Sequence, residues 1–325
     1  MRQKREVWLA RLGSVVNRID FRNRVRAHRT DIERQVQATR VQFEATNQRI
    51  VAKSGRNLLG AIAIALTLVP LMIISLVVVK QLFMVFGGVV IAFTAIELVK
   101  ALRHAGRSVP QVPTLIAGLA VVPAAYYFGT EGMWLATLLG VLVVVVWRLA
   151  EEVPVARRRA PREVFRDIGA AALIQVYVFF LASFSILLLA QQDGQWWTLA
   201  FLVLVMLVDT GAYASGLSFG KHPMVPSISP KKTWEGLAGA AVVGVLGGVL
   251  FALFLLHEPW WVGVIFGAII VVTATIGDLA ESMIKRVLGV KDMSSWLPGH
   301  GGLLDRLDSL LPSAAATYAI YLVFR

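Results

Sequence analysis

The sequence has no cysteine. Disulfides, thiolate nucleophiles, iron–sulfur clusters and Cys-type zinc sites are therefore all excluded. Charge is scarce as well. Asp, Glu, Lys and Arg make up 16 % of the 325 residues, and the 20 acids are outnumbered by 32 bases. What fills the chain instead is apolar: 57 % hydrophobic residues and a mean hydropathy of +0.69. Runs of about twenty apolar residues recur from Asn57 to Phe324, which excludes an ordinary soluble protein. The runs are continuous and too long for barrel strands, so the predicted fold class is all-α, a polytopic membrane protein.

About 20 apolar residues in a helix cross about 30 Å of hydrocarbon. That ruler predicts about nine transmembrane helices, at about 57–79, 82–99, 112–129, 132–149, 168–190, 196–216, 235–256, 260–280 and 311–324. The first 50 residues are strongly charged, which argues against a cleavable signal peptide. The chain divides into a basic N-terminal arm (1–56), helices one to five (57–190), and helices six to nine with polar loops (191–325). A cytoplasmic N-terminus would put 1–56, 100–111, 150–167, 217–234 and 281–310 inside. Those segments, with Arg148 at a span end, hold 30 of the 32 Lys and Arg, leaving only Lys80 and Arg325 outside. This near-complete positive-inside bias predicts an odd number of spans in the cell membrane, and it explains the net charge of +12 without nucleic acid. The arm reads as a solvated topogenic segment, with a helix lying on anionic lipid as the alternative. Gly244 and Gly248 form a small-xxx-small pair suited to close helix packing rather than a dimer seam.

Two predicted inner loops differ from the rest. The first region runs Asp209-Thr-Gly-Ala-Tyr213, Gly220-Lys-His222 and Ser229-Pro-Lys-Lys-Thr-Trp-Glu235. The second runs Gly277-Asp278-Leu-Ala-Glu281-Ser282, Lys285-Arg286, Lys291-Asp292 and His300-Gly-Gly-Leu-Leu-Asp305-Arg306-Leu-Asp308. Asp209 and Asp278 sit near the inner ends of apolar spans, where an ionised group needs water, a cation or a partner. Asp278, Glu281, Ser282 and Lys285 share one helix face by their i, i+3, i+4, i+7 spacing, and Asp305 and Asp308 repeat the i, i+3 relation. Carboxylates without a His or Cys ligand set suit Mg2+. Lys231, Lys232, Lys285, Arg286, Lys291 and Arg306 interleave with them, as phosphate binding would require. Gly301-Gly302 beside His300 would let backbone N–H groups approach an anion. Glu97, a further intramembrane acid with no motif around it, reads as packed and partnered. No P-loop, no Gly-x-Ser-x-Gly elbow and no His-Glu-x-x-His is present.

At these residues the chain resembles a known family. The run Ser282-x-x-Lys-Arg-x4-Lys-Asp-x-Ser-x-x-Leu-Pro-x-His-Gly-Gly-Leu-x-Asp-Arg-Leu-Asp308 is similar to the signature of phosphatidate cytidylyltransferases. Ile228-Ser-Pro-Lys-Lys-Thr-Trp-Glu-Gly236 and Asp209-x-x-Ala-Tyr213 resemble that family too, so the likeness covers about 205–310. Leu217 stands where many members have Arg. The resemblance implies transfer of CMP from CTP to phosphatidate with Mg2+, giving CDP-diacylglycerol and pyrophosphate. It implies Asp278 and Asp305 as principal metal ligands, with Asp209 and Asp308 as second choices. Lys285, Arg286 and Arg306 would be catalytic. Ser229, Lys231, Lys232, Ser282, Lys291, His300, Gly301 and Gly302 would bind substrate. A second cation and a homodimer stay open.

Two other readings differ in what they require. A polyprenol kinase would use the nucleotide on another lipid. A transporter would place its acids near the bilayer midplane along a route through the membrane, often with internal repeats. Here the motif acids gather at one face, and no repeat is visible.

Overall fold

The computed structural model describes residues 70–152, 159–290, 293 and 302–325. The basic arm, most of the predicted first span, Lys291, His300 and Gly301 lie outside the described residues. All described residues belong to one compact unit, Ile64–Arg325.

Seven helices among the described residues are long and apolar enough to cross a membrane, which makes this a multi-pass, nearly all-α protein. In chain order the elements are α1 (Lys80–His104), α2 (Gln111–Leu119), α3 (Val121–Ala150) and α4 (Pro161–Ile174). A π-helical turn, Gln175–Phe180, carries α4 into α5 (Leu181–Ala190). Then come α6 (Gly194–Phe219), strands β1 (Pro223–Val225) and β2 (Ser229–Thr233), and α7 (Trp234–Phe251). The chain ends in α8 (Trp260–Leu288), α9 (Leu304–Leu307) and α10 (Leu310–Phe324).

At 111–150 a single helix, α3, runs across the junction of two predicted spans, yet the break the sequence places between them is present. Helix α3 is interrupted at Gly129, whose φ of 64° and ψ of −150° no L side chain adopts readily. The chain folds back there. A Cβ on Gly140 would stand 3.4 Å from the carbonyl oxygen of Ala117, a contact a straight helix would forbid. Helices α1, α6 and α8 also outrun their apolar stretches. Polar side chains at the ends of α1 and α8 find partners inside the bundle, so helix length is set by packing as well as by hydropathy.

Gly244 and Gly248 of α7 face Gly267 and Gly263 of α8, where backbone meets backbone. The small-xxx-small pair therefore serves packing within the chain. The core is apolar, with Trp197 edge-on to both Phe266 and Tyr321. The two cations that charge counting leaves outside lie near one another in the fold. Lys80 donates to the Gln191 carbonyl at 3.0 Å, and Arg325 reaches Asp193 at 3.1 Å and Glu258 at 3.4 Å. On the other segments, Arg148 of α3 pairs with Asp167 of α4 at 2.9 Å, both buried.

Candidate active site

The first polar region folds as an antiparallel hairpin, an addition to the all-helical expectation. Its strand alternation turns Lys231 outward and tucks Lys232 in. The hairpin is fastened at three points. Thr233 caps α7 by accepting the Gly236 N–H at 3.1 Å. Glu235 accepts the N–H groups of Lys221 and His222 at 3.1 and 3.2 Å, and its carboxylate pairs with the His222 ring at 2.5 Å. From α8, Arg286 donates to the Ile228 carbonyl at 3.2 Å. Arg286 thus braces the hairpin turn next to the second polar region.

Helix α8 carries that second region on its C-terminal turns and stops at Gly289, whose φ of 70° ends the helix in the left-handed region. Gly277 lets the α9–α10 segment approach, because a Cβ there would meet the Asp308 carbonyl oxygen. The close approach brings Asp278, Glu281 and Asp308 together, with one oxygen of each within 4.8 Å of the others. Glu281 is 1 % exposed and Asp308 is 7 % exposed. Two buried carboxylates and a partly exposed third at that spacing repel one another unless cations intervene.

Two lysines intervene. Lys232 reaches Asp278 at 2.5 Å. Lys285 bridges Glu281 at 2.6 Å and Asp305 at 3.1 Å. Asp305 also accepts the Gly302 N–H at 2.8 Å. Ser282 lies 3.4 Å from Asp278, a weak contact within the same helix. Asp209, in the C-terminal half of α6, is within electrostatic reach of Asp278, Lys232 and Arg306.

The residues read from sequence are therefore sorted by the fold. Asp278 and Asp308 converge, with Asp209 close by. Asp305 stands one step back, engaged by Lys285 and the Gly302 amide. Lys232 and Lys285 sit among the carboxylates, Arg286 and Lys231 lie on the exposed side, and Arg306 is exposed on α9. Two acids had been given no site role by sequence. Glu281 belongs to the converging set, as its place on the Asp278 face could have signalled. Glu97 of α1 accepts the Leu304 N–H at 2.8 Å, and no local pattern would have signalled that.

The set passes a physical test for a divalent cation. One Glu281 oxygen, Oε1, is buried with no hydrogen-bond partner among the described residues, while the other is held by Lys285. An orphaned carboxylate oxygen beside two more carboxylates is costly as a bare arrangement and well suited to oxygen-ligated Mg2+. The donor set holds no nitrogen or sulfur, as a hard cation prefers.

A fold of apolar helices with carboxylates and lysines gathered at one site is what a membrane-bound phosphoryl-transfer enzyme requires. Residues 60–324 match the cytidylyltransferase family, and the chain belongs to it. It is 40 % identical over 275 residues to a phosphatidate cytidylyltransferase of Mycobacterium bovis, covering 83 % of this chain and 90 % of that protein. A Mycobacterium leprae protein of the same name is 38 % identical over 277 residues, covering 82 % and 88 %. A Brucella suis phosphatidate cytidylyltransferase matches at 39 % over 150 residues, covering 45 % and 56 %.

Proposed function

We propose that this chain transfers CMP from CTP to phosphatidate, giving CDP-diacylglycerol and pyrophosphate for phospholipid synthesis. The observation that carries the reading is the convergence of Asp278, Glu281 and Asp308 beside Lys232 and Lys285, in a family whose similar members bear that activity in their names.

A phosphate oxygen of phosphatidate attacks the α-phosphorus of CTP. The bond from that phosphorus to the α–β bridging oxygen breaks, and its electron pair leaves with pyrophosphate. Phosphatidate already carries an anionic phosphate, so the protein's task is positioning and charge neutralisation rather than activation of a nucleophile. Asp278, Glu281 and Asp308 would hold Mg2+, with Asp209 close enough to assist and Asp305 governing the approach of Lys285. Bound there, Mg2+ would supply electrostatic stabilisation of the phosphoryl oxygens as charge builds on them. Lys232 and Lys285 sit on these carboxylates, and Arg286 and Arg306 are exposed on the same two segments, α8 and α9. They would clamp the triphosphate and the lipid phosphate, with Lys231 and Ser229 on the adjoining strand.

The substrates explain the site's position. One is lodged in the bilayer and the other is dissolved in the cytosol, so they meet at an interface. The charge pattern supports an odd number of passes with the site facing the cytoplasm of the cell membrane, and the break at Gly129 supports counting two passes between 111 and 150. The test is transfer of label from CTP carrying a radioactive α-phosphate. Purified protein should move it to phosphatidate in the presence of Mg2+, and should not move it when a chelator replaces the metal. Labelling of a polyprenol instead would redirect the assignment.

A further inference from the structure

We infer that Glu97 is a positioning residue for the catalytic turn, holding the Gly302–Leu304 backbone from α1 and so setting where Asp305 and Asp308 point. The inference rests on the reading that the carboxylates hold a divalent cation. Glu97 is 1 % exposed, in the C-terminal part of a helix whose other buried residues there are Thr94, Ala95, Leu98, Val99, Ala101 and Leu102, the Thr94 hydroxyl being spent on the Val90 carbonyl. A carboxylate in such surroundings is costly unless it is hydrogen-bonded.

One partner lies 207 positions away in sequence: Oε2 accepts the Leu304 N–H at 2.8 Å. Leu303, which precedes the first turn of α9, offers no side-chain cap of its own. Glu97 supplies an acceptor for that turn's first N–H from another helix. Gly302 fits the same arrangement. A Cβ there would stand 2.6 to 2.9 Å from Oε1, Cδ and Oε2 of Glu97, so the carboxylate occupies the space a side chain would take.

The consequence reaches the site through short links. Gly302 donates to Asp305, Asp305 engages Lys285, and Lys285 engages Glu281. Asp308 lies one turn beyond Leu304 and donates its N–H to the Leu304 carbonyl at 3.0 Å. A shift of the 302–304 backbone therefore moves both acids of the turn. Residues that orient ligands without touching the ion commonly change metal affinity or activity by about 10- to 100-fold when replaced.

The test uses the full-length purified protein and Mn2+ as the probe, with free ion measured by electron paramagnetic resonance beside kcat and KM. Glu97→Gln should weaken Mn2+ binding about tenfold and lower kcat at limiting metal, while KM for CTP at saturating metal stays within about twofold. Gly302→Ala should reproduce the loss, because the added methyl displaces the same carboxylate, and it carries the test if Glu97→Gln does not accumulate. In the double variant the losses should be less than additive. Wild-type Mn2+ affinity and kcat in either folded single variant, or full additivity, would overturn the inference. Asp278→Asn separates the two levels. Wild-type Mn2+ binding in that variant would overturn the metal reading itself, whereas loss there with retention in Glu97→Gln would overturn only the role of Glu97.

Discussion

Lys232 on β2 and Asp278 on α8 meet at 2.5 Å. Their contact joins the two polar regions, which the sequence keeps apart by an entire helix and its return. The Arg286 bond to Ile228 secures the same junction from the other side. A hairpin lysine and a helix carboxylate thus stand together in the fold.

Asp278 is expected to matter most among the acids. Replacing it with Asn should lower kcat on the order of 10²-fold or more, as removal of a principal electrostatic stabiliser does. The fold should persist, because a neutral side chain is easier to bury than a charged one. Asp308→Asn should behave similarly. Turnover in purified protein, checked against expression and thermal unfolding, measures this. Near-normal activity in Asp278→Asn would remove the carboxylate from the site.

How much of this was readable beforehand follows from the range of each interaction. Hydropathy is local, so six of the predicted spans reappear within a few residues at one or both ends, and the junction of two more, 112–129 and 132–149, falls at the Gly129 break. The helical spacing of Asp278, Glu281 and Lys285 is local too, and it placed them on one face. What the sequence hid depends on distant chain. Nothing near Glu97 reveals that it caps a turn at Leu304. Nothing near Asp305 distinguishes it from Asp308, because the choice is made by Gly277 letting one backbone close on α8 while Lys285 claims the other acid. The β-hairpin was missed because Ser229-Pro-Lys-Lys-Thr has neither the apolar alternation of a strand nor an Asn-Gly turn.

Arg148 offers a contrast between stability and chemistry. It is 2 % exposed and pairs with Asp167, itself 1 % exposed, and with Glu152 at 2.5 Å. Asp167 also accepts the Ser108 N–H at 3.0 Å, which ties α4 to the loop after α1. Arg148→Met would leave the buried Asp167 carboxylate with only the longer Arg159 contact at 3.4 Å and the Ser108 N–H, at a cost on the order of 3 kcal/mol. Thermal unfolding in detergent should shift down while kcat of the folded enzyme holds. A loss of kcat without loss of stability would mean the cluster acts in catalysis.

Single cysteines can be introduced cleanly, since the chain has none of its own. At Ser227, exposed in the hairpin turn, and at Ser294 they should react with an impermeant reagent only from the cytoplasmic side. At Gln192, whose carbonyl accepts the Tyr321 hydroxyl at 3.1 Å, the cysteine should react from outside. Labelling of Ser227 and Ser294 from opposite sides would break the single-site account.

Direct transfer is the central claim, and stereochemistry at the α-phosphorus addresses it most directly. Attack by the lipid phosphate inverts configuration once, whereas passage through a nucleotidyl-enzyme inverts twice and restores it. With a chiral α-thio analogue of CTP, the CDP-diacylglycerol formed should show inversion. Retention would contradict direct transfer and require a side chain of the enzyme to carry the nucleotide.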